Sequence, residues 1–129
     1  LRSEADGTIS FGDHTLEEKA KLDNFEHCGD LYKVKTFKTM TKLERNGMFV
    51  YESVPGTSVS HFVETADGVK FTVEGDEDAQ ITLELEEDTE YQVLVNGNSA
   101  GKMKTNLGGK LNISVELAGF GEVLVEVTR

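Results

Sequence analysis

Val69-Lys70-Phe71-Thr72-Val73-Glu74, followed after a short acidic loop by Ile81-Thr82-Leu83-Glu84-Leu85-Glu86, is the stretch that decides the fold. Apolar and polar residues alternate strictly. Successive side chains of an extended chain point to opposite faces, so each segment presents one dry face and one wet face. A helix with the same pattern would scatter these residues around its circumference. Both segments therefore read as half-buried β-strands.

The rhythm spreads outward from there. Tyr91, Val93 and Val95 continue it, followed by Leu111, Ile113, Val115 and Leu117, and finally by Val123, Val125 and Val127. Asn46-Gly47, between residues 40–45 and 48–53, predicts a two-residue hairpin, because both residue types accept positive φ at little cost. Asp67-Gly68 joins two more strands, and Asn96-Gly97, Gly108-Gly109 and Gly119–Gly121 punctuate the C-terminal half. Reversals about every ten residues predict an all-β antiparallel β-sandwich, Ig-like or jelly-roll, of roughly seven to ten strands. Ile81, Leu83, Val93, Val95, Ile113, Val115, Val123 and Val125 are its expected core, with Glu84 and Glu116 facing water. Residues 15–24 are the one helix candidate, where Thr15 would cap the first turn and Glu18 would return the bond. Residues 1–13, with Ile9 and Phe11 as their apolar pair, read as a loose arm or an edge strand.

At 129 residues the chain suits a single domain, 1–129, with a real core. Its 24 acidic residues against 13 basic ones give a net charge of −11. That is the opposite of the footprint needed for nucleic acid or an anionic membrane, so neither is an expected partner. No apolar run approaches the ~20 residues of a membrane helix, so membrane insertion is not expected either. Leu1 begins no signal peptide, and the chain reads as an excised domain or mature fragment. The single cysteine, Cys28, cannot close an internal disulfide or build a cysteine zinc site.

No constellation reads as catalytic, and no enzyme activity is expected. His14, His27 and His61 are the whole histidine supply, at spacings that suggest no metal site. His27 reads as a surface histidine beside a buried thiol. Ser60-His61 lies in a strand without a nucleophile elbow or a matched acid. Asp76, Glu77 and Asp78 form an acidic run whose oxygens are the candidate ligands for Ca²⁺, although the spacing is not that of an EF-hand, and no other cofactor is expected. Among the aromatic residues, Phe49 and Tyr51 are taken to share one face of the hairpin strand, with Tyr32 near them. These three are the candidate carbohydrate-binding residues, since a pyranose stacks on a flat ring. Tryptophan, the strongest stacking platform, is absent.

The stretch from Thr89 to Val127 carries Tyr91-Gln92-Val93-Leu94-Val95-Asn96-Gly97, then Gly101-Lys102-Met103-Lys104-Thr105-Asn106, then Gly109-Lys110-Leu111 and the alternating valines. It resembles the C-terminal β-sandwich accessory module of bacterial extracellular polysaccharide-active enzymes. The resemblance implies strands of a sandwich beside a catalytic domain and no particular site residue. It makes a secreted or cell-surface, non-catalytic spacer or weak carbohydrate-binding domain the expected function, with polysaccharide or a neighbouring domain as partner. The alternative is an Ig-like adhesion or assembly module that recognises protein through a strand edge, which leaves no side-chain signature.

Overall fold

The computed structural model describes all 129 residues. Its strands are β1 (Arg2–Ser3), β2 (Ile9–Phe11), β3 (Ala20–His27), β4 (Asp30–Thr36), β5 (Thr41–Arg45), β6 (Met48–Val54), β7 (Ser58–Thr65), β8 (Gly68–Glu74), β9 (Ala79–Glu84), β10 (Glu90–Val95), β11 (Asn98–Lys104), β12 (Lys110–Val115) and β13 (Val123–Thr128). They form two antiparallel sheets in a sandwich. The seven-stranded sheet runs β1-β2-β7-β8-β13-β10-β11, and the six-stranded sheet runs β12-β9-β6-β5-β4-β3.

The alternating segments lie where their periodicity places them. Ile81, Leu83, Ile113 and Val115 of the six-stranded sheet, and Val93, Val123 and Val125 of the seven-stranded sheet, are buried between the layers. Val95 is partly buried against the same core, and Glu116 is exposed. Ile113→Ala should therefore cost ~2–5 kcal/mol in a denaturant melt, while Glu116→Ala should stay within about half a kcal/mol. Similar losses would mean a wrong register for β12.

Thirteen strands exceed the expected number, and the surplus lies where alternation is absent. β11 is exposed almost throughout, and only the end of β3 dips into the core. Edge strands wet on both faces carry no period-two signal. The expected helix is absent. The Asp13 carboxylate accepts from the Thr15 N–H at 3.0 Å and the Thr15 hydroxyl at 2.6 Å, so Thr15 is bound in a side-chain turn instead of capping a helix. These bonds hold the Asp13 carboxyl below the usual carboxylate range. Residues 20–24 join β3 instead, with Lys21 paired to Lys35. The N-terminal segment is strand, not loose arm: β2 pairs with β7 and buries Ile9 and Phe11.

Asn46-Gly47 forms the expected tight hairpin, with φ of 51° and 79° and Arg45 opposite Met48. Asn96-Gly97 repeats it between β10 and β11. Each asparagine also reaches a neighbouring segment. The Asn46 side-chain oxygen accepts from the Leu31 N–H at 2.9 Å, and that of Asn96 accepts from the Leu124 N–H at 2.8 Å. Both turns are thereby stitched to the chain beside the hairpin.

One end of the core holds a buried hydroxyl network centred on Thr57, in the β6–β7 connection. The Thr57 hydroxyl bonds both the Tyr51 and Ser53 hydroxyls at 2.7 Å. The Thr57 N–H donates to Thr41 Oγ1 at 3.1 Å, and the Thr41 hydroxyl donates to the Thr57 carbonyl at 2.8 Å. With its proton committed there, Thr41 must accept from the Thr36 hydroxyl, 2.8 Å away. No buried side-chain polar atom lacks a partner.

Candidate functional site

The three candidate aromatic residues do not form one surface. Leu43 pairs with Tyr51 but the next residue, Glu44, pairs with Phe49, which leaves Val50 as the extra residue of a bulge. The bulge resets the alternation. Val50 and Tyr51 both point into the core, and Phe49 comes out on the opposite face, half-buried. Tyr51 is wholly buried against Phe11 and Phe71, and burial pushes its hydroxyl well above the usual phenol range. Tyr32 is also buried, edge-on to His27. Neither tyrosine offers a ring face to a sugar, and Phe49 is the one of the three on the outer surface.

Register places Phe49 in a row across the outer face of the six-stranded sheet. Lys110 faces Glu84, Phe49 faces Glu44, and Glu44 faces Lys33. Lys110 forms an ion pair with Glu84, and its ammonium stands 4.4 Å from the Phe49 centroid. The Lys42 ammonium lies 6.0 Å from the same ring. These are cation–π distances. At the far end of the row a shallow hollow of about 370 Å³ is lined by Asp23, Leu31, Lys33, Glu44 and Asn46 among others. The second row contains Thr82, Glu52, Lys42, Lys35 and Lys21, each directly opposite the next.

The lysines of this face are the residues that sequence reasoning missed. A signal for them exists in the period-two spacing of Lys19 with Lys21 and of Lys33 with Lys35. Residues 19–42 hold six lysines against three carboxylates, while the remainder of the chain holds 21 acids against seven bases.

The acidic run 76–78 does not converge. The Asp78 carboxylate accepts from the Leu117 N–H at 3.0 Å and the Ala118 N–H at 3.2 Å, whereas Asp76 stands 3.5 Å from His14. No group of three or more metal-ligating side chains is assembled anywhere in the structure.

Each histidine is hydrogen-bonded to a serine or threonine. Ser58 Oγ lies 2.7 Å from His14 Nδ1 and also accepts the His14 backbone N–H at 3.2 Å. With Asp76 on the other ring nitrogen, the order Ser58, His14, Asp76 mimics a hydrolytic triad. A triad acid is buried and fixes the ring, whereas the Asp76 side chain is 82% exposed. The arrangement pins the residue 12–19 connection to β7. His27 is buried and Cys28 exposed, the reverse of the expectation, because Cys28-Gly29 is a hairpin turn with φ of 51° and 85° that throws the thiol outward. The His27 ring bonds Ser3 at 2.7 Å and the Gly7 carbonyl at 3.1 Å. The Thr8 hydroxyl and N–H bind the Asp6 carboxylate, keeping its pKa below the usual range. His61 must then present a protonated Nδ1 to Asp6 Oδ2, 3.2 Å away. These contacts tie the N-terminal strands to the rest of the sandwich.

No protein-family model, curated protein or solved structure matches this chain.

Proposed function

We propose that this chain is a non-catalytic β-sandwich accessory domain of an extracellular glycan-processing protein, and that it meets its ligand on the outer face of the six-stranded sheet. The observation that supports this is Phe49, a half-exposed ring that the β6 bulge turns onto the outer face, with the Lys42 and Lys110 ammonium groups beside it. The ring supplies an apolar contact for a pyranose beside the ammonium groups that stand over it, and those groups supply donors for its hydroxyls. A single phenyl ring without tryptophan makes a weak site.

Affinity electrophoresis of the whole chain through gels containing soluble polysaccharides is the test. Retardation by at least one glycan is expected, with Phe49→Ala reducing it about tenfold and leaving the melting temperature nearly unchanged. Unaltered retardation in the variant would remove this face from the proposal. The chain should also release no reducing sugar and cleave no activated ester. Ester cleavage lost in Ser58→Ala would revive the Ser58–His14 pair as catalytic.

A second reading, protein recognition through a strand edge, is favoured by β12. β3 and β11 are edges interrupted by register shifts and positive-φ residues, Asn24 and Gly101, and β1 is two residues long. β12 pairs with β9 over six residues with no shift and has no strand on its other side.

A further inference from the structure

We propose that the β3–β4–β5 end of this face binds a carboxylated glycan along the ladder Lys42–Lys35–Lys21, an inference that rests on the glycan reading above and names its ligand class. The ladder is built by register. Lys42 is directly opposite Lys35, and Lys35 is directly opposite Lys21, so three ammonium-bearing side chains rise from one face on three successive strands. Adjacent strands are ~4.8 Å apart, and like charges directly opposite one another destabilise a sheet.

The protein has the means to neutralise these charges and does not use them. None of the three lysines forms an ion pair, whereas Lys33 has Asp23, Lys38 has Glu17, Lys104 has Asp88 and Lys110 has Glu84. Glu52 stands opposite Lys42 without reaching ion-pair distance. In a chain with 24 acidic residues, three facing lysines left unpaired are a local conflict. Conflicts of that kind are expected where a ligand supplies the missing partner.

The shape of the site points to an extended anion. The lysines run across the strands in a line, with the Phe49 ring beside Lys42 and, on the segment leading into β3, Lys19 standing over the Phe37 ring at 5.7 Å. A polyuronate suits both features, since each sugar brings an apolar ring face and a carboxylate. Nucleic acid suits them less. Its duplex carries a charge per ~1.7 Å, and a domain with net charge −11 repels so dense a polyanion beyond the immediate contact.

The test uses affinity electrophoresis of the whole chain in polygalacturonate, a neutral β-glucan and duplex DNA, with wild type and Lys35→Glu. Lys35→Glu places a carboxylate between Lys42 and Lys21, so it should raise the melting temperature while abolishing retardation by polygalacturonate. Wild-type retardation should weaken by about tenfold or more from low to physiological ionic strength. A binding loss together with a gain in stability is a result that a purely structural role for Lys35 does not produce. Retardation by β-glucan alone would leave the glycan reading standing and overturn the ladder, whereas no retardation in either glycan would remove both. Equal retardation in DNA, or unchanged binding by Lys35→Glu, would also overturn it.

Discussion

Tyr51→Ala should unfold much of the population at room temperature, with a loss of ~5 kcal/mol or more in a urea titration. The ring is completely buried, with Phe11, Phe62 and Phe71 set around it at centroid distances of 5.2 to 6.3 Å. Truncating a large core aromatic residue costs ~3–5 kcal/mol, because the transfer energy is lost and a cavity remains. The hydroxyl adds to this. Tyr51 and Ser53 share Thr57 Oγ1, so removing the phenol leaves one bond of the Thr57 hydroxyl unmade in a dry site, at ~1–3 kcal/mol. Such losses compare with the whole stability of a domain this size, ~5–15 kcal/mol. Tyr51→Phe separates the terms, since it keeps the ring and loses only the hydroxyl contribution. A Tyr51→Ala protein as stable as wild type would show that the residue is not in the core. A loss of sugar binding in that variant would report on folding and not on a stacking platform.

The reversal of Tyr51 shows where the sequence stops being legible. Strands buried on one face announce themselves: β8, β9, β10, β12 and β13 were all visible as alternating runs, and Asn46-Gly47 and Asn96-Gly97 as turns. A bulge is different. Val50 adds one residue to one strand without interrupting the run Met48-Phe49-Val50-Tyr51, and nothing in those letters says where the alternation resets. One inserted residue exchanges the two faces for everything on its far side. Phe49 and Tyr51, two apart in sequence, thus end on opposite sides of the sheet. Residues 15–24 depart from the helical expectation for another reason. Asp13, two residues before the expected first turn, satisfies the Thr15 donors itself, and residues 20–24 pair with β4 as its edge partner.

The lysine face was partly legible. Lys19 and Lys21, and Lys33 and Lys35, alternate as residues on one face of a strand must, but a net charge of −11 averages over the whole chain and hides them. What could not be read was that Lys42, Lys35 and Lys21 stand side by side. Their adjacency depends on the β3–β4 and β4–β5 registers, and β3, being wet on nearly all its length, has no hydrophobic pattern from which a register could be inferred.

Gly68→Ala should cost ~3–5 kcal/mol, although it adds a single methyl group. Gly68 opens β8 and is paired on both sides, with Thr65 of β7 and Thr128 of β13. A Cβ at this position would lie 1.8 Å from the Val127 carbonyl oxygen and 2.8 Å from its carbon, and φ is +155°. The obstacle is backbone on a strand at the centre of the seven-stranded sheet, so no side-chain rotation relieves it. β8 and β13 must part at this end. That movement would also disturb Arg129, whose N–H donates to the Asp67 carbonyl at 2.9 Å and whose guanidinium donates to the Ala66 carbonyl at 2.6 Å. Gly97→Ala is the control. Its φ of +80° strains an alanine, at ~1–2 kcal/mol, but no atom lies within 4 Å of the added carbon. Urea melts should therefore rank Gly68→Ala well below Gly97→Ala, with amide exchange accelerated along β13 only in the former. Equal losses would show that positive φ alone governs both positions and that the close approach of β13 to Gly68 is not sustained in solution.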